Sequence, residues 1–423
     1  MRKYDEYKDS GSNLIGKIPA NWEICRFGNV FRLKPVVPHH NEELLSVFLE
    51  YGVIPASESE KRTHKPSEDL SKYQLVEKTD FVMNNQQAWR GSVGVSQYVG
   101  IISPAYHIFK MPRQLDASYA NYLLRDKCMV GHYEMSSKGV GSIQRTLNFN
   151  WLNNGFLIIP PISEQRIIAS FLNNKSREIE NLISKTEREI ELLKELKQSV
   201  VAHAVTKGLN PNVKMKDSGI GWIGEIPEHW EIKQLRNYLV FISKKGFPDE
   251  TLLSVVREQG VIVRDIESQE QNHNFIPDDL SDYKLVRKGQ FVINKMKSWQ
   301  GSYGVSAYDG IVSPAYYVCD LKFALKSFFN EAIRSKVYVP FFTQYSKGIR
   351  VGQWDLSPIG LKSIPFIEPP QSEQQEIVEY IDYKTTQIDK MIVELTYKVE
   401  YLKQYKQRLI ADVVTGKINV QPE

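Results

Sequence analysis

Residues Ser163–Val205 read SEQRIIASFLNNKSREIENLISKTEREIELLKELKQSVVAHAV, and Ser372–Val414 read SEQQEIVEYIDYKTTQIDKMIVELTYKVEYLKQYKQRLIADVV. The second stretch follows the first at a constant offset of 209 residues (372 minus 163). Apolar residues recur every seven positions in both, with a second apolar series four residues further on, which is the a/d pattern of a coiled coil. In the second stretch the two series are Ile381, Ile388, Leu395, Leu402 and Leu409, then Ile392, Val399 and Val413; in the first they are Leu172, Ile179, Leu193 and Val200, then Ile183, Ile190 and Ala204. The pattern predicts two long helices, each roughly 60 Å long at a rise of about 1.5 Å per residue.

Each predicted helix carries a lysine at the same seam position, Lys197 in the first and Lys406 in the second. A seam lysine lowers stability and can fix the register or orientation of the partner helices. Two matched helices in one chain most simply pair with each other, but the heptads leave the direction of pairing open. The alternative is two ordinary long helices on a globular core, which heptads this regular do not favour.

The stretches that precede the two helices are also copies of each other. KDSGSNLIGKIPANWEI (Lys8–Ile24) matches KDSGIGWIGEIPEHWEI (Lys216–Ile232), and GSVGVSQYVGIISPAY (Gly91–Tyr106) matches GSYGVSAYDGIVSPAY (Gly301–Tyr316) at 12 of 16 positions. A period this long indicates a duplicated domain rather than a solenoid. We therefore predict four parts: a globular domain over residues 1–160, a spacer helix over 161–210, a second globular domain over 211–369 and a second spacer helix over 370–423.

Each globular domain combines strand and helix patterns. Short runs of β-forming residues such as Phe81–Met83 and Val93–Tyr98 are punctuated by glycine, whereas Ser118–Asp126 and Leu325–Ser335 have the pattern of helices. The predicted class of each domain is therefore α+β.

Charge and cysteine usage narrow the class of protein. The net charge of +4 over 423 residues is mildly basic, which is compatible with a nucleic-acid partner without requiring one. The start, MRKYDEYKDS, is too polar for a signal peptide, and no apolar run approaches the roughly 20 residues that span a bilayer. Cys25, Cys128 and Cys319 fit neither a disulfide framework nor a zinc site. We expect a cytoplasmic protein with no membrane partner.

Catalytic motifs are missing from the sequence. It contains no Walker A loop, no GxGxxG fingerprint and no Asn- or Asp-Pro-Pro-aromatic motif of amino-methyltransferases. The pair His39-His40 and the lone His203 have no partner at metal-ligand spacing. We expect neither an enzyme nor a metal site, and no cofactor held by this chain.

Polar segments differ between the two copies while the framework around them is shared. Asn84–Arg90 stands opposite Asn294–Gln300, and Val140–Arg145 stands opposite Ile349–Trp354. Lys and Arg can donate to guanine edges, Gln and Asn can pair with adenine, and Lys, Arg and Ser can hold phosphates. Neutral drift of surface loops is the competing explanation for any single residue. The predicted DNA-binding residues are Gln86, Gln87, Arg90, Lys138, Gln144 and Arg145 in the first domain, and Lys295, Lys297, Gln300, Lys347, Arg350 and Gln353 in the second.

Two tryptophans, Trp89 and Trp299, occupy matching positions inside these polar segments. Because tryptophan is highly buried on average, we interpret both as core aromatics rather than as DNA contacts.

The chain resembles the specificity subunits of type I restriction-modification systems. The resemblance rests on KDSGIGWIGEIPEHW (Lys216–Trp230), FVINKMKSWQGSYGVSAYDGIVSPAYYV (Phe291–Val318), the PPxSEQ helix starts at Pro160 and Pro369, and AVTKGLNP (Ala204–Pro211). It covers essentially the whole chain in the order domain, helix, domain, helix. Residues 84–90 depart from the NKMKSWQ pattern of the second copy, so base contacts cannot be carried from one copy to the other.

The resemblance implies a fold and a set of partners. The two helices would form an antiparallel coiled coil that spaces two target recognition domains, each reading one half of a bipartite site in double-stranded DNA. Two modification subunits would carry S-adenosylmethionine and methylate adenine, and up to two restriction subunits would use ATP and Mg to translocate and cleave. This chain would catalyse none of these steps.

Two other interpretations remain open on the sequence alone. One is a coiled-coil scaffold that displays two protein-binding domains, and the other is a self-sufficient restriction-methylation enzyme.

Overall fold

The computed structural model describes residues 2–35, 38–39, 41–58, 69–139, 145–265, 276–350 and 353–422. It divides into two compact units. The first unit comprises Met1–Thr186 with Tyr397–Glu423, and the second comprises Glu187–Thr396. Each unit therefore contains one globular part and a section of each long helix.

The first globular part contains mostly short strands. Its strands are β1 (Tyr7–Asp9), β2 (Lys17–Pro19), β3 (Glu23–Arg26), β4 (Arg32–Leu33), β5 (Leu45–Phe48), β6 (Gly52–Pro55), β7 (Gln74–Val76), β8 (Phe81–Asn84), β9 (Val93–Val95), β10 (Gly100–Ile102), β11 (Tyr106–Lys110), β12 (Ser137–Lys138), β13 (Thr146–Leu147) and β14 (Phe156–Ile159). Its helices are α1 (Phe27–Val30), α2 (Ala117–Arg125), α3 (Lys127–Met135) and α4 (Phe149–Asn154), with 3₁₀ turns at Ala56–Glu58 and Ala88–Arg90, and the long helix α5 (Ile162–Lys207) follows.

The second globular part has the same succession of elements with small differences. Its strands are β15 (Met215–Asp217), β16 (Glu225–Pro227), β17 (Glu231–Gln234), β18 (Leu239–Ile242), β19 (Leu253–Val256), β20 (Gly260–Val263), β21 (Lys284–Val286), β22 (Phe291–Asn294), β23 (Tyr303–Val305), β24 (Gly310–Val312), β25 (Tyr316–Leu321), β26 (Ser346–Arg350), β27 (Gln353–Leu356) and β28 (Pro365–Glu368). Its helices are α6 (Lys326–Arg334), α7 (Val339–Gln344) and α8 (Pro358–Ser363), with 3₁₀ turns at Leu235–Asn237 and Ser298–Gln300, and the long helix α9 (Gln371–Val414) follows. The predicted mixed class of helix and sheet is confirmed.

A four-stranded antiparallel sheet in the order β4-β11-β8-β9 forms the centre of the first globular part. Phe81 and Met83 of β8 pack into the larger core together with α2 and α3. Val82, between them, packs on the other face into a smaller core with Leu45 and Ile108. Because both faces of this strand are covered, its apolar residues form a continuous run instead of alternating with polar ones.

The second globular part has the sheet β18-β25-β22-β23, which is antiparallel throughout. Phe291 and Ile293 of β22 face the larger core, and Val292 faces the smaller one with Leu253 and Val318. This sheet, like that of the first globular part, is therefore covered on both faces by hydrophobic cores.

In the first unit, the C-terminal part of α9 packs beside the N-terminal part of α5. Leu172 and Ile179 of α5 share a core with Leu409 and Val413 of α9, and Ile183 and Leu402 pack against its edge. Lys406 pairs with Glu180 across the two helices. Residue numbers rise along one helix as they fall along the other, so the two helices run antiparallel in this unit.

In the second unit, Lys197 of α5 forms an ion pair with Asp389 of α9. Ala204 and Val205 share the larger core with Ile377 and Ile381. Every seam residue predicted by the heptads is buried or half-buried in the unit to which it belongs. The periodicity therefore identified the inward face of both helices.

The start of each long helix is held by a buried tryptophan. The indole Nε1 of Trp22 donates to Glu164 Oε1 at 3.1 Å, and that of Trp230 donates to Glu373 Oε2 at 2.9 Å. Both tryptophans are fully buried. A buried indole N–H needs a partner, and a carboxylate in the first turn of a helix also suits the helix dipole.

Candidate nucleic-acid interface

A tight turn follows the central strand of each sheet, and most of the predicted DNA-binding residues lie on or beside it. In the first unit Asn84 ends β8, and its Oδ1 accepts from the backbone N–H groups of Gln86 and Gln87 at 3.0 and 3.2 Å. The 3₁₀ turn Ala88–Arg90 then ends at Gly91, whose φ of +99° favours glycine. Ala88 is buried, so the turn is anchored while Gln86 and Arg90 remain exposed.

Trp89 is the centre of the polar cluster in the first unit. Its indole Nε1 donates to the carbonyl of Gln86 at 3.0 Å, which fixes the ring. The guanidinium carbons of Arg90 and Arg145 lie 4.6 and 4.5 Å from the centroid of this ring. Contacts at this distance are cation–π interactions. Trp89 is half-buried and lies outside the hydrophobic cores, so our interpretation of it as a core aromatic is wrong.

The antiparallel pair β12–β13 supplies the other basic residues of the first unit. Arg145, directly before β13, also pairs with Glu134 of α3 at 3.1 Å. Lys138 of β12 is exposed and places its ammonium 4.4 Å from the ring centroid of Trp151. The backbone N–H of Leu147 donates to Asn85 Oδ1 at 3.2 Å and so ties β13 to the turn. Gln144 lies outside the described residues.

The turn of the second unit is built in the same way. Asn294 Oδ1 accepts from the N–H of Met296, the indole of Trp299 donates to the Met296 carbonyl at 3.2 Å, and Gly301 ends the 3₁₀ turn with φ of +97°. Trp299 is half-buried and outside the cores, so its interpretation as a core aromatic is also wrong. Lys297 and Gln300 are exposed on this turn.

The residue that rests on the indole differs in the second unit. Trp354 of β27 packs on Trp299, with ring centroids 5.0 Å apart and an interplanar angle of 35°. Lys295 pairs with Asp355 at 3.2 Å, and Lys347 of β26 is exposed. Arg350 and Gln353 end and begin the paired strands β26 and β27, and their side chains lie outside the described part of the chain.

The structure thus brings Arg90 and Arg145 together on Trp89, while Lys138 lies at a second tryptophan, Trp151. Sequence reasoning missed Trp151 and Trp354. The signal for Trp354 was present, because it stands at the position equivalent to Arg145, in the segment where the two copies diverge. The assignment of the predicted residues to DNA stays a prediction.

Catalytic groups are not apparent in the described part of the chain. No group of three or more His, Cys, Asp or Glu residues there is arranged to hold a metal ion. Burial raises the pKa of the Cys128 thiol well above its usual range and that of Cys319 to about 12. Thiols held protonated in this way are poor nucleophiles. Within the described residues, every helix is too short or too polar to cross a membrane.

The chain matches no protein-family model. It is 23% identical over 436 residues to the type I restriction enzyme MjaVIII specificity subunit of Methanocaldococcus jannaschii, with 96% of this chain and 95% of the relative covered. It is 19% identical over 434 residues to the EcoDI specificity subunit of Escherichia coli, with 96% and 90% covered.

Solved structures give the same result for the fold. A chain from a structure on the complex assembly and conformational transition of the type I R-M system matches with a TM-score of 0.66, 13% identity and coverage of 95% of this chain and 99% of that one. The HsdS subunit of Thermoanaerobacter tengcongensis matches with a TM-score of 0.53, 13% identity and coverage of 95% and 98%. The chain is a homologue of type I restriction specificity subunits. The expected resemblance to specificity subunits is thereby confirmed over nearly the whole length of the chain.

Proposed function

We propose that the chain is the specificity subunit of a type I restriction-modification complex and that its two globular parts read the two halves of a bipartite DNA site. The observation that carries this proposal is the pair of equivalent turns, each built around an indole-to-carbonyl bond and each carrying different side chains. Two turns with the same backbone geometry and different side chains suit two DNA half-sites that differ in base sequence. The likeness to named specificity subunits over the full length supports it.

The side chains on the two turns fit the chemistry of base and phosphate recognition. Arg90, Arg145 and Lys138 in the first unit can donate to guanine or to phosphates, and Gln86 and Gln87 have the amides that pair with adenine. In the second unit the same kinds of contact are open to Lys295, Lys297, Gln300 and Lys347. By sequence position we add Gln144 in the first unit and Arg350 and Gln353 in the second. The exposed indole of Trp151, beside Lys138, adds a surface on which a base can stack.

The proposal includes two target recognition domains that arose by duplication and two long helices that form an antiparallel coiled coil between them. The ion pairs Lys406–Glu180 and Lys197–Asp389 support the antiparallel direction inside each unit. Helices of 46 and 44 residues are roughly 65–70 Å long at about 1.5 Å per residue, which is close to two turns of B-DNA. Their proposed role is to fix the gap between the half-sites.

Exposed apolar residues on the long helices support a scaffolding role. Tyr401 and Tyr405 of α9 are 66% and 38% exposed in the first unit, and Leu192 and Leu196, at the equivalent positions of α5, are 47% and 49% exposed in the second. Apolar side chains left in water in this way mark protein-binding surfaces. We propose that one modification subunit docks at each, and that S-adenosylmethionine, ATP and Mg are bound by the modification and restriction subunits rather than by this chain.

The test is selection of bound DNA from a randomised library by the chain purified with co-expressed modification subunits. The expected product is two short conserved blocks separated by a fixed unspecified gap, with affinity that falls steeply as salt rises. Enrichment without any sequence preference would favour a protein-binding scaffold. Turnover of S-adenosylmethionine by the chain alone would favour a self-sufficient enzyme.

A further inference from the structure

Trp89 and Trp299 are held in the same way in the two units. Each belongs to a 3₁₀ turn that ends at a glycine with φ near +98°, and each donates its Nε1–H to the carbonyl three residues earlier. Neither ring can rotate without breaking this bond. Both are half-buried. In the first unit Arg90 lies on the ring of Trp89, and in both units the ring is also partly covered by a side chain at or next to the start of the second strand of the neighbouring hairpin.

That covering side chain is Arg145 in the first unit and Trp354 in the second, and the two positions are equivalent in the repeat. Arg145 has its guanidinium 4.5 Å from the ring of Trp89. Trp354 has its ring 5.0 Å from the ring of Trp299. An indole held in the same way therefore packs against a guanidinium group in the first unit and against a second indole in the second unit.

We propose that this position, residue 145 in the first unit and residue 354 in the second, selects a base in each half-site, and that Arg145 selects a guanine. The inference rests on the proposed function. It adds the residue that contacts the base, the base that is selected in the first half-site, and the tryptophan that orients this residue. Trp89 and Trp299 are positioning residues, since they act through the side chain that they carry.

The chemistry of arginine explains the choice of guanine. Arginine offers five N–H donors in a planar fork, and two of them match the O6 and N7 acceptors of guanine in the major groove. Nη1 of Arg145 donates a hydrogen bond to Glu134, and the guanidinium group packs on the indole of Trp89. These two contacts orient the guanidinium group in the absence of DNA. Preorganisation of this kind lowers the entropy cost of the contact.

Trp354 cannot form the same contact. An indole has a single N–H donor and no second donor beside it, so it cannot bridge O6 and N7. Its apolar face instead suits the methyl group of thymine. The second half-site should therefore lack a guanine at the position that corresponds to the one read by Arg145.

The test uses the complex of this chain with its modification subunits and compares variants in the same DNA selection. Arg145→Ala should reduce the preference for guanine at one position of one half-site on the order of tenfold to a hundredfold. The other half-site and the gap should not change. Trp354→Arg should create a guanine preference in the other half-site, and Trp89→Ala should weaken the first preference more than Trp89→Phe, which keeps a ring beside Arg145 but loses the Nε1–H bond.

The outcomes separate this inference from the proposed function. A wild-type complex that selects no bipartite site would overturn the function itself. A bipartite site that keeps every base preference in Arg145→Ala and gains none in Trp354→Arg would overturn the inference alone. Arg145→Lys keeps the charge and loses the fork, so it serves as the second variant if Arg145→Ala does not assemble; an unchanged guanine preference in Arg145→Lys would also count against the inference.

Discussion

The ammonium group of Lys197 on α5 lies 2.6 Å from Oδ2 of Asp389 on α9 and donates to both oxygens of that carboxylate. Lys406 and Glu180 form the corresponding pair in the first unit. The sum of the two residue numbers is the same in both pairs, so the two units use one antiparallel register. Lys197 and Lys406, which interrupt the apolar seams, therefore favour this antiparallel register through their ion pairs.

Reversing one charge of this pair tests the register directly. Lys197→Glu would face Asp389 with a like charge, and we expect the free energy of unfolding to fall by about 1 kcal/mol, the upper end for an exposed pair. Lys197→Glu with Asp389→Lys should recover most of the loss in urea denaturation. Lys194→Glu is the matched control, because among the described residues Lys194 pairs with Glu191 of its own helix and not with α9. Additive effects of the two substitutions at 197 and 389 would show that the pair does not interact.

The last helix is expected to complete the core of the first unit. Val413 is fully buried there with Leu172 and Leu409. Val413→Ala should lower the free energy of unfolding by about 1–3 kcal/mol, through lost burial and the cavity left behind. Val393, on the same helix and 52% exposed, provides the control, and Val393→Ala should change stability by less than about 0.5 kcal/mol. Equal effects of the two substitutions would argue against this packing.

A pocket of about 370 Å³ lies in the first unit and offers a test of packing. Leu14, His132 and Trp151 are among its walls. In the second unit Trp222 takes the place of Leu14, packs on Phe341 at 4.7 Å between ring centroids and donates to the carbonyl of Val337. Leu14→Trp should therefore raise the stability of the first unit by about 0.5–1 kcal/mol.

The reverse change, Trp222→Leu, is the matched partner of that experiment. It removes a ring contact and a hydrogen bond, so thermal unfolding should occur at a lower temperature. A Leu14→Trp variant that unfolds at a lower temperature than the wild type would mean that the pocket cannot accept an indole.

Acid should destabilise the first unit through two histidines. Burial lowers the pKa of His107 and of His132, although the bond between His132 and the Leu152 carbonyl opposes the shift. In the unfolded chain the two histidines become protonated near the ordinary histidine pKa of about 6.5. In the folded chain their pKa is lower, so they become protonated only at a more acidic pH. Stability is therefore complete above that pH and declines as the pH falls below it.

The check is the urea midpoint at several pH values between 7.5 and 5. Replacing His107 by Tyr and His132 by Phe introduces the residues that the second unit has at these places, Tyr317 and Phe341, and should reduce the decline. A double variant that loses as much stability as the wild type in acid would assign the pH dependence to other groups.

The sequence was most informative where structure is periodic. The heptads identified the inward faces of both long helices, and α2 and α6 differ from the predicted Ser118–Asp126 and Leu325–Ser335 by one residue at each end. Periodicity is a local property, so it could not reveal that Val413 packs with Leu172, far away in the chain. For the same reason it could not give the strand order of the sheets.

The candidate site was predicted only in outline. Divergent polar segments pointed to Arg90 and Arg145, but average burial pointed to the wrong environment for Trp89. Its exposure depends on a bond from its Nε1 to the Gln86 carbonyl and on the left-handed Gly91, a local geometry that composition does not encode. Trp354 was missed although it stands opposite Arg145 in the divergent segment, because its contact with Trp299 appears only in the structure.

The most direct test of the account is a map of adenine methylation in a methylation-free host that expresses the modification subunits with and without this chain. The account predicts that one bipartite motif with a fixed gap is methylated only when the chain is present. Methylation that is identical with and without the chain, or that follows a single uninterrupted motif, would contradict the central claim that its two units read two separate half-sites.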